Sequence, residues 1–315
     1  MPKKRERISI VIPCYNEEEV INICHKAVTD VIDTLPYDFE LIYVNDGSRD
    51  STQNLLEAIH EKDERAIIIN LSRNFGKEAA MTAGIDHVTG DALIILDADL
   101  QDPPDLIPDL IKVWKDENAD VVYGQRVIRE GETWFKKFSA TGFYSVINYV
   151  ANNVEIPKNT GDFRLMNRRA IDALIQLREK HRFMKGLFTW VGYKQVAFKY
   201  NRAPRAAGGT KWSYLKLWQL ALEGITGFST TPLRAASLFG LFISAFSFLF
   251  GSFILIRTLF FGADVEGWAS IMVMITFLSG IQLLSIGILG EYIGRIFGEV
   301  KRRPLYFIDT VHKQD

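Results

Sequence analysis

The chain has 315 residues, with 37 basic and 38 acidic side chains and a net charge of −1. That balance gives no global reason to expect nucleic acid as a partner. Two cysteines, Cys14 and Cys24, exclude a disulfide framework. Hydrophobic residues make up 48% but are unevenly placed: residues 1–230 read as a soluble α/β protein, and residues 235–297 do not.

The N-terminus is basic through Arg7 but lacks the apolar core of a signal peptide. The β-branched run 8–13 predicts a first strand, and helical spacing of Val20, Ile23, Ala27 and Val28 predicts a helix from Glu17 to about Val31. A second strand is expected over 39–44, ending in the turn signature Asn45-Asp46-Gly47-Ser48. Asp50-Ser51-Thr52 then caps a helix running to about His60. Strands at 66–70 and 92–96 flank a helix at 77–87. Pro103-Pro104 opens a further helix, and 119–123 is a further strand. Strands alternating with helices argue for a mostly parallel sheet of βαβ units.

Residues 235–256 and 268–290 carry no charge, and each is long enough to cross a hydrocarbon core of ~30 Å at ~1.5 Å per residue. A two-helix transmembrane hairpin is the expectation. Arg234 precedes it and Arg295, Lys301, Arg302 and Arg303 follow it, whereas the link holds Arg257, Asp264 and Glu266. The positive-inside rule therefore puts both outer ends and the large domain in the cytosol, with the chain a multi-pass protein of the inner membrane. Segments 134–150 and 211–228 interleave aromatics with lysines and read as interfacial helices, against the plainer reading of packing on the sheet.

The apolar run Ile94-Ile95-Leu96 ends in Asp97-Ala98-Asp99. In an extended backbone, residues two apart share a face, so a buried strand delivers both carboxylates to its C-terminal edge, where open α/β sheets bind ligands. Two oxygen donors suit Mg²⁺ or Mn²⁺, which keep waters and bridge substrate phosphates. Loops carrying Pro13, Tyr15 and Glu17, then Asp46 and Ser48, then 72–77, converge on the same edge. No Walker motif or Gly-x-Gly-x-x-Gly occurs, which argues against a nucleotide hydrolase or dinucleotide oxidoreductase. Arg73 and Lys77 either touch a nucleotide or cap a helix. Asp102 reads as a helix cap before Pro103 rather than a third metal ligand.

Val11-Ile12-Pro13-Cys14-Tyr15-Asn16-Glu17, Val44-Asn45-Asp46-Gly47-Ser48 and Asp97-Ala98-Asp99-Leu100-Gln101-Asp102-Pro103-Pro104 resemble glycosyltransferase family 2, with the GT-A fold. Asn74-Phe75-Gly76-Lys77, Asp162-Phe163-Arg164-Leu165, Gly209-Thr210-Lys211 and the hairpin narrow the resemblance. They are similar to the polyisoprenyl-phosphate glycosyltransferases of the bactoprenol glucosyltransferase and dolichol-phosphate mannose synthase type. The usual closing motif has Ser where this chain has Thr210, which keeps the hydroxyl. The resemblance implies a GT-A domain at 1–210, an interfacial region at 211–233, the hairpin at 234–298 and a cytosolic tail at 299–315.

It also implies roles. Pro13, Tyr15, Glu17, Asp46 and Ser48 would hold the nucleoside of a nucleotide sugar, with Lys77 and Asp97 on the nucleotide. Asp99 and Gln101 would hold Mg²⁺ or Mn²⁺, with Asp97 beside them. Asp162 would be the acid near the acceptor, and Arg126, Arg164, Arg205 and Lys211 would meet the phosphate of a polyisoprenyl phosphate. Asp162, Asp99 and Arg126 form the catalytic set. The implied reaction is inverting, with glucose from UDP-glucose first and GDP-mannose, UDP-N-acetylglucosamine or an aminoarabinose donor behind it. Relatives of this type also imply a homo-oligomer, a tetramer. A processive polysaccharide synthase would carry Gln-x-x-Arg-Trp and more spans, and neither occurs here. A non-catalytic membrane adaptor would not need Asp46, Asp97, Asp99 and Asp162 together.

Overall fold

Alternation along the central strands places the core on both faces of one sheet. In β1 (Arg7–Cys14), Ile8, Ile10 and Ile12 pack under one face and Val11 under the other. In β2 (Asp38–Asn45), Leu41 and Tyr43 share the first face, and Ile42 and Val44 the second. β3 (Ala66–Leu71) and β4 (Ala92–Ile95) repeat the pattern and are buried throughout. Such strands, apolar on both sides, belong in a parallel sheet covered by helices.

The computed structural model describes residues 5–127, 157–201, 231–262 and 267–314. Helices α1 (Ile21–Ile32), α2 (Thr52–His60) and α4 (Ile107–Asp116) cover one face of the sheet. Helices α3 (Lys77–Asp86), α5 (Arg168–Gln176) and α6 (Met184–Trp190) cover the other. With β5 (Val121–Arg126), β6 (Thr160–Asn167), β7 (Gln195–Tyr200) and β8 (Ile308–His312), the eight-stranded sheet has the order β7-β5-β6-β4-β1-β2-β3-β8. β4, β1, β2 and β3 run parallel, as the βαβ pattern predicts.

Beyond β4 the order departs from the sequence. β6 (Thr160–Asn167) inserts antiparallel between β4 and β5 (Val121–Arg126), and β7 (Gln195–Tyr200) pairs parallel to β5. Reversal of β6 brings its first residues, rather than its last, to the edge where the parallel strands end. The other edge holds a second departure. Segment 299–315, expected as a tail, contributes β8 (Ile308–His312), antiparallel to β3. Asn70 donates from Nδ2 to Thr310 Oγ1 at 2.9 Å, and Ser72 N donates to Phe307 O at 3.0 Å.

Between β7 and β8 in the chain lie two long helices, α7 (Thr231–Phe261) and α8 (Trp268–Val300). Leu233–Phe261 and Met274–Val300 are long and apolar enough to cross a membrane, with mean hydropathies of 2.2 and 1.5 and no buried share. The far end of α8 meets the domain: Glu299 Oε1 accepts from Lys180 N at 2.7 Å. The expected interfacial segments 134–150 and 211–228 lie outside the described residues.

Candidate active site

The sheet edge gathers the loops that follow β1 to β4, the ends of β5 and β7, and the start of β6. Each loop is fixed by bonds to its neighbour. Asn16 N donates to Ser48 Oγ at 3.0 Å, Arg49 N to Asn16 Oδ1 at 2.8 Å, and Glu17 N to Thr52 Oγ1 at 2.8 Å. Asn16 itself has a φ of 54°, a left-handed backbone that asparagine tolerates. Pro13, Tyr15, Glu17 and Ser48 are partly exposed along this wall.

Asp46 is buried, and its two oxygens accept the backbone N–H groups of Phe75 at 2.7 Å and Gly76 at 2.9 Å. Burial pushes its carboxyl up, against the pull of those amides and of Arg73. Gly47 follows with a φ of 61°, and a Cβ there would lie 2.5 Å from the Arg73 carbonyl carbon. The two loops therefore touch backbone to backbone, which only glycine permits. In this structure Asp46 clamps the 72–77 loop.

The antiparallel register of β4 on β6 pairs Ile95 with Arg164, so two residues further on Asp97 faces Asp162. Lys77, the first residue of α3, reaches between them, with Nζ 2.6 Å from Asp97 Oδ1 and 2.6 Å from Asp162 Oδ2. Burial works against both charges in the Lys77–Asp162 pair. Attraction outweighs it: the Lys77 ammonium, helped by Lys185 and Arg164, holds the Asp162 carboxyl well below the usual carboxylate range, and the two carboxylates raise Lys77. Asp99 accepts from Gln101 N at 3.2 Å. Leu100, between them, has a φ of 55°, a strained conformation for a bulky residue that costs about 1–3 kcal/mol. Loop 97–101 is thus held in one shape at a cost.

On the far side stand Arg126 and Tyr200, partners in the β5–β7 register. Asp102, with a side chain only 1% exposed, accepts from Tyr200 Oη at 2.5 Å and lies 3.4 Å from Arg126 Nη2. The expected cap at Asp102 is absent: the 3₁₀ turn at Pro104–Leu106 has no side-chain cap, because this carboxylate faces Arg126 and Tyr200 instead. Arg164, expected among the phosphate-binding cations, lies inside the domain in this structure. It is 3% exposed, lies over the Phe188 ring at 3.5 Å, and donates to the carbonyls of Asp162 and Gly161 at 3.2 and 2.8 Å. Burial lowers it to about 10. It braces the backbone that carries Asp162.

Arg205 and Lys211 lie outside the described residues. Sequence reasoning did not single out Tyr200, Lys185 or Glu78. Among the described residues Glu78 Oε2 is buried without a hydrogen-bond partner, and burial, then the Asp162 charge, push its carboxyl up to about 8. The Lys-Glu pair at 77–78 was the available signal for Glu78; nothing in the local sequence marks Tyr200.

Among the described residues no group of three or more His, Cys, Asp or Glu side chains could hold a metal. Asp97 and Asp99 nonetheless offer half-buried oxygen donors beside the Gln101 amide, a hard set that suits an ion keeping waters and substrate oxygens. The salt bridge to Lys77 engages Asp97 with an ammonium.

Residues 9–175 match the family described as Glycosyl transferase family 2. An uncharacterised glycosyltransferase of Synechocystis sp. is 50% identical over 304 residues, covering 96% of this chain and 95% of its own. A bactoprenol glucosyl transferase of Shigella phage SfII is 45% identical over 307 residues, covering 98% and 99%. A crystal structure of glucosyl-3-phosphoglycerate synthase from Mycobacterium tuberculosis, in complex with Mn²⁺, UDP-glucose and phosphoglyceric acid, is 20% identical. It covers 70% of this chain and 78% of its own, with a TM-score of 0.46.

Proposed function

Since the chain belongs to glycosyltransferase family 2, we propose that this enzyme transfers a sugar, first of all glucose from UDP-glucose, to the phosphate of a membrane polyisoprenyl phosphate. One observation carries the reading. The 45% identity to a bactoprenol glucosyl transferase extends over 98% of the chain, so the likeness includes both apolar helices as well as the carboxylate edge. α7 and α8 span the bilayer in this reading. Arg234, Arg295, Lys301, Arg302 and Arg303 keep the domain on the cytosolic side. A cleft at the membrane surface is then within reach of a lipid phosphate.

A phosphate oxygen attacks the anomeric carbon, the bond to the nucleotide diphosphate breaks, and its electron pair leaves with the diphosphate, inverting the centre. The acceptor is a phosphomonoester with a second pKa near ~6, so it arrives largely as the nucleophilic dianion. Little is left for a base to do. Asp162, ion-paired to Lys77 at 2.6 Å, is a poor proton acceptor and works as a positioning group that aims Lys77. Lys77 and Arg126 bring positive charge to the two phosphate-bearing substrates, the arginine fork matching phosphate oxygens. Asp99 and Gln101 would hold Mg²⁺ or Mn²⁺, with Asp97 turned toward the nucleotide. Such an ion, when bound, supplies charge neutralisation for the leaving diphosphate.

Two experiments test this. Purified protein, polyisoprenyl phosphate, Mg²⁺ or Mn²⁺ and a panel of labelled nucleotide sugars should yield a glycolipid with at least one donor. None from any donor would sink the proposal. Asp162→Asn should lower the rate at every pH. Recovery of the full rate at high pH would instead make Asp162 a base.

A further inference from the structure

Arg126 sits in a purpose-shaped seat. Its Nε donates to Tyr200 Oη at 3.2 Å, and the same hydroxyl donates to Asp102. Asp102 in turn faces Arg126 Nη2 with both oxygens at 3.4 Å. Burial and the neighbouring carboxylate raise the Tyr200 hydroxyl, so it stays a donor. Two glycines make room for the assembly. A Cβ on Gly161 would lie 2.5 Å from Arg126 Nη2, and one on Gly124 would lie 2.9 Å from the Tyr200 ring and 3.0 Å from Phe163. Three elements, β5, β7 and the loop after β4, thus converge on one edge of one guanidinium.

A nearly inaccessible carboxylate is expensive to bury and contributes little net stability even when paired. Its consequence here is geometric. An arginine on a strand end samples many rotamers, whereas one held along its Nε–Nη2 edge has lost that freedom before a ligand arrives. The Arg126 side chain remains 24% exposed, so it is held without being sealed in. We propose that Tyr200 and Asp102 are positioning residues that pre-orient Arg126 toward the acceptor phosphate. This assignment rests on the functional reading above.

The test uses the full chain in detergent with polyisoprenyl phosphate. Tyr200→Phe keeps the ring against Phe163 and Phe198 and removes only the hydroxyl. It should lower kcat/KM for the lipid phosphate about tenfold, the effect of one hydrogen bond to a charged group, while calorimetric affinity for the donor nucleotide stays within about twofold. The same substitution in an Arg126→Ala background should add no further loss, because the two act as one unit. Gly161→Ala alters none of the three residues and should reproduce the defect by displacing the guanidinium, which covers the case of a Tyr200 variant that melts early. A Tyr200→Phe enzyme with wild-type kinetics, or an equal loss with and without Arg126, overturns the proposal alone. Absence of glycolipid from the wild-type protein overturns the functional reading and this proposal with it.

Discussion

The two sides of the cleft hold their charges by opposite means. Beside β2 and β3, Asp46 is fixed by backbone amides of Phe75 and Gly76, and the neighbouring loops touch main chain to main chain at Gly47. From β4 across β6 and β5 to β7, side chains hold side chains: Lys77 bridges Asp97 and Asp162, and Tyr200 links Arg126 to Asp102. A group clamped by the main chain moves only if the fold moves. A group held by another side chain can be exchanged for a ligand of the same charge. The first side is therefore a rigid wall, and the second is where, on the proposed function, substrate phosphates and a cation would replace internal partners.

The sharpest way to break this comparison is at Asp99. Asp99→Ala should abolish metal-dependent donor binding and lower turnover by a factor on the order of 10³, the scale seen when a transition-state charge loses its stabiliser. Asp97→Ala should weaken donor binding even at saturating metal, because it also frees Lys77. Calorimetry with and without Mn²⁺ separates the two, and equal metal defects would make the pair a symmetric clamp. A smaller effect is expected on the rigid side. Asp46→Ala strips two buried amides of their acceptor and should cost about 2–4 kcal/mol of stability. Urea unfolding would measure it; an unchanged midpoint would mean the wall is not clamped there.

The mildest prediction concerns Glu78. Its carboxyl is pushed up to about 8 in the folded protein, above the ordinary 4.5, chiefly by burial. The folded state therefore holds this proton more tightly than the unfolded state, and stability falls as pH rises through that window. Glu78→Gln removes the penalty. Its melting temperature should lie close to the parent's at about pH 4.5 and rise progressively above it as pH increases through 8. A constant gap at all pH would refute the assignment.

The rigid wall was also the legible one. Runs such as Ile8-Ser9-Ile10-Val11-Ile12 and Leu41-Ile42-Tyr43-Val44 announce buried parallel strands, and their observed bounds lie within a residue or two of those expected. The exchangeable side was read less well. Thr160–Asn167 alternates briefly at Asp162-Phe163-Arg164-Leu165, and nothing local announces that it enters the sheet antiparallel and out of order. Arg164 looks like a surface cation until its carbonyl partners and Phe188 are seen. Asp102 looks like a cap because its real partner, Tyr200, is 98 positions away. Charge pairs formed by distant segments leave no periodicity to find. Nor does the edge strand Ile308–His312, whose middle residues are exposed.

That edge strand also sets a timetable for folding. β3 cannot acquire its outer partner until the ribosome has delivered both apolar helices, since Asn70 and Thr310 are 240 residues apart. Contacts of such separation close late. During synthesis the edge of β3 presents unpaired amides and carbonyls, a template for stray pairing. The final strand then closes the sheet only on a chain whose hairpin is already complete, so completion of the apolar helices and completion of the sheet become one event.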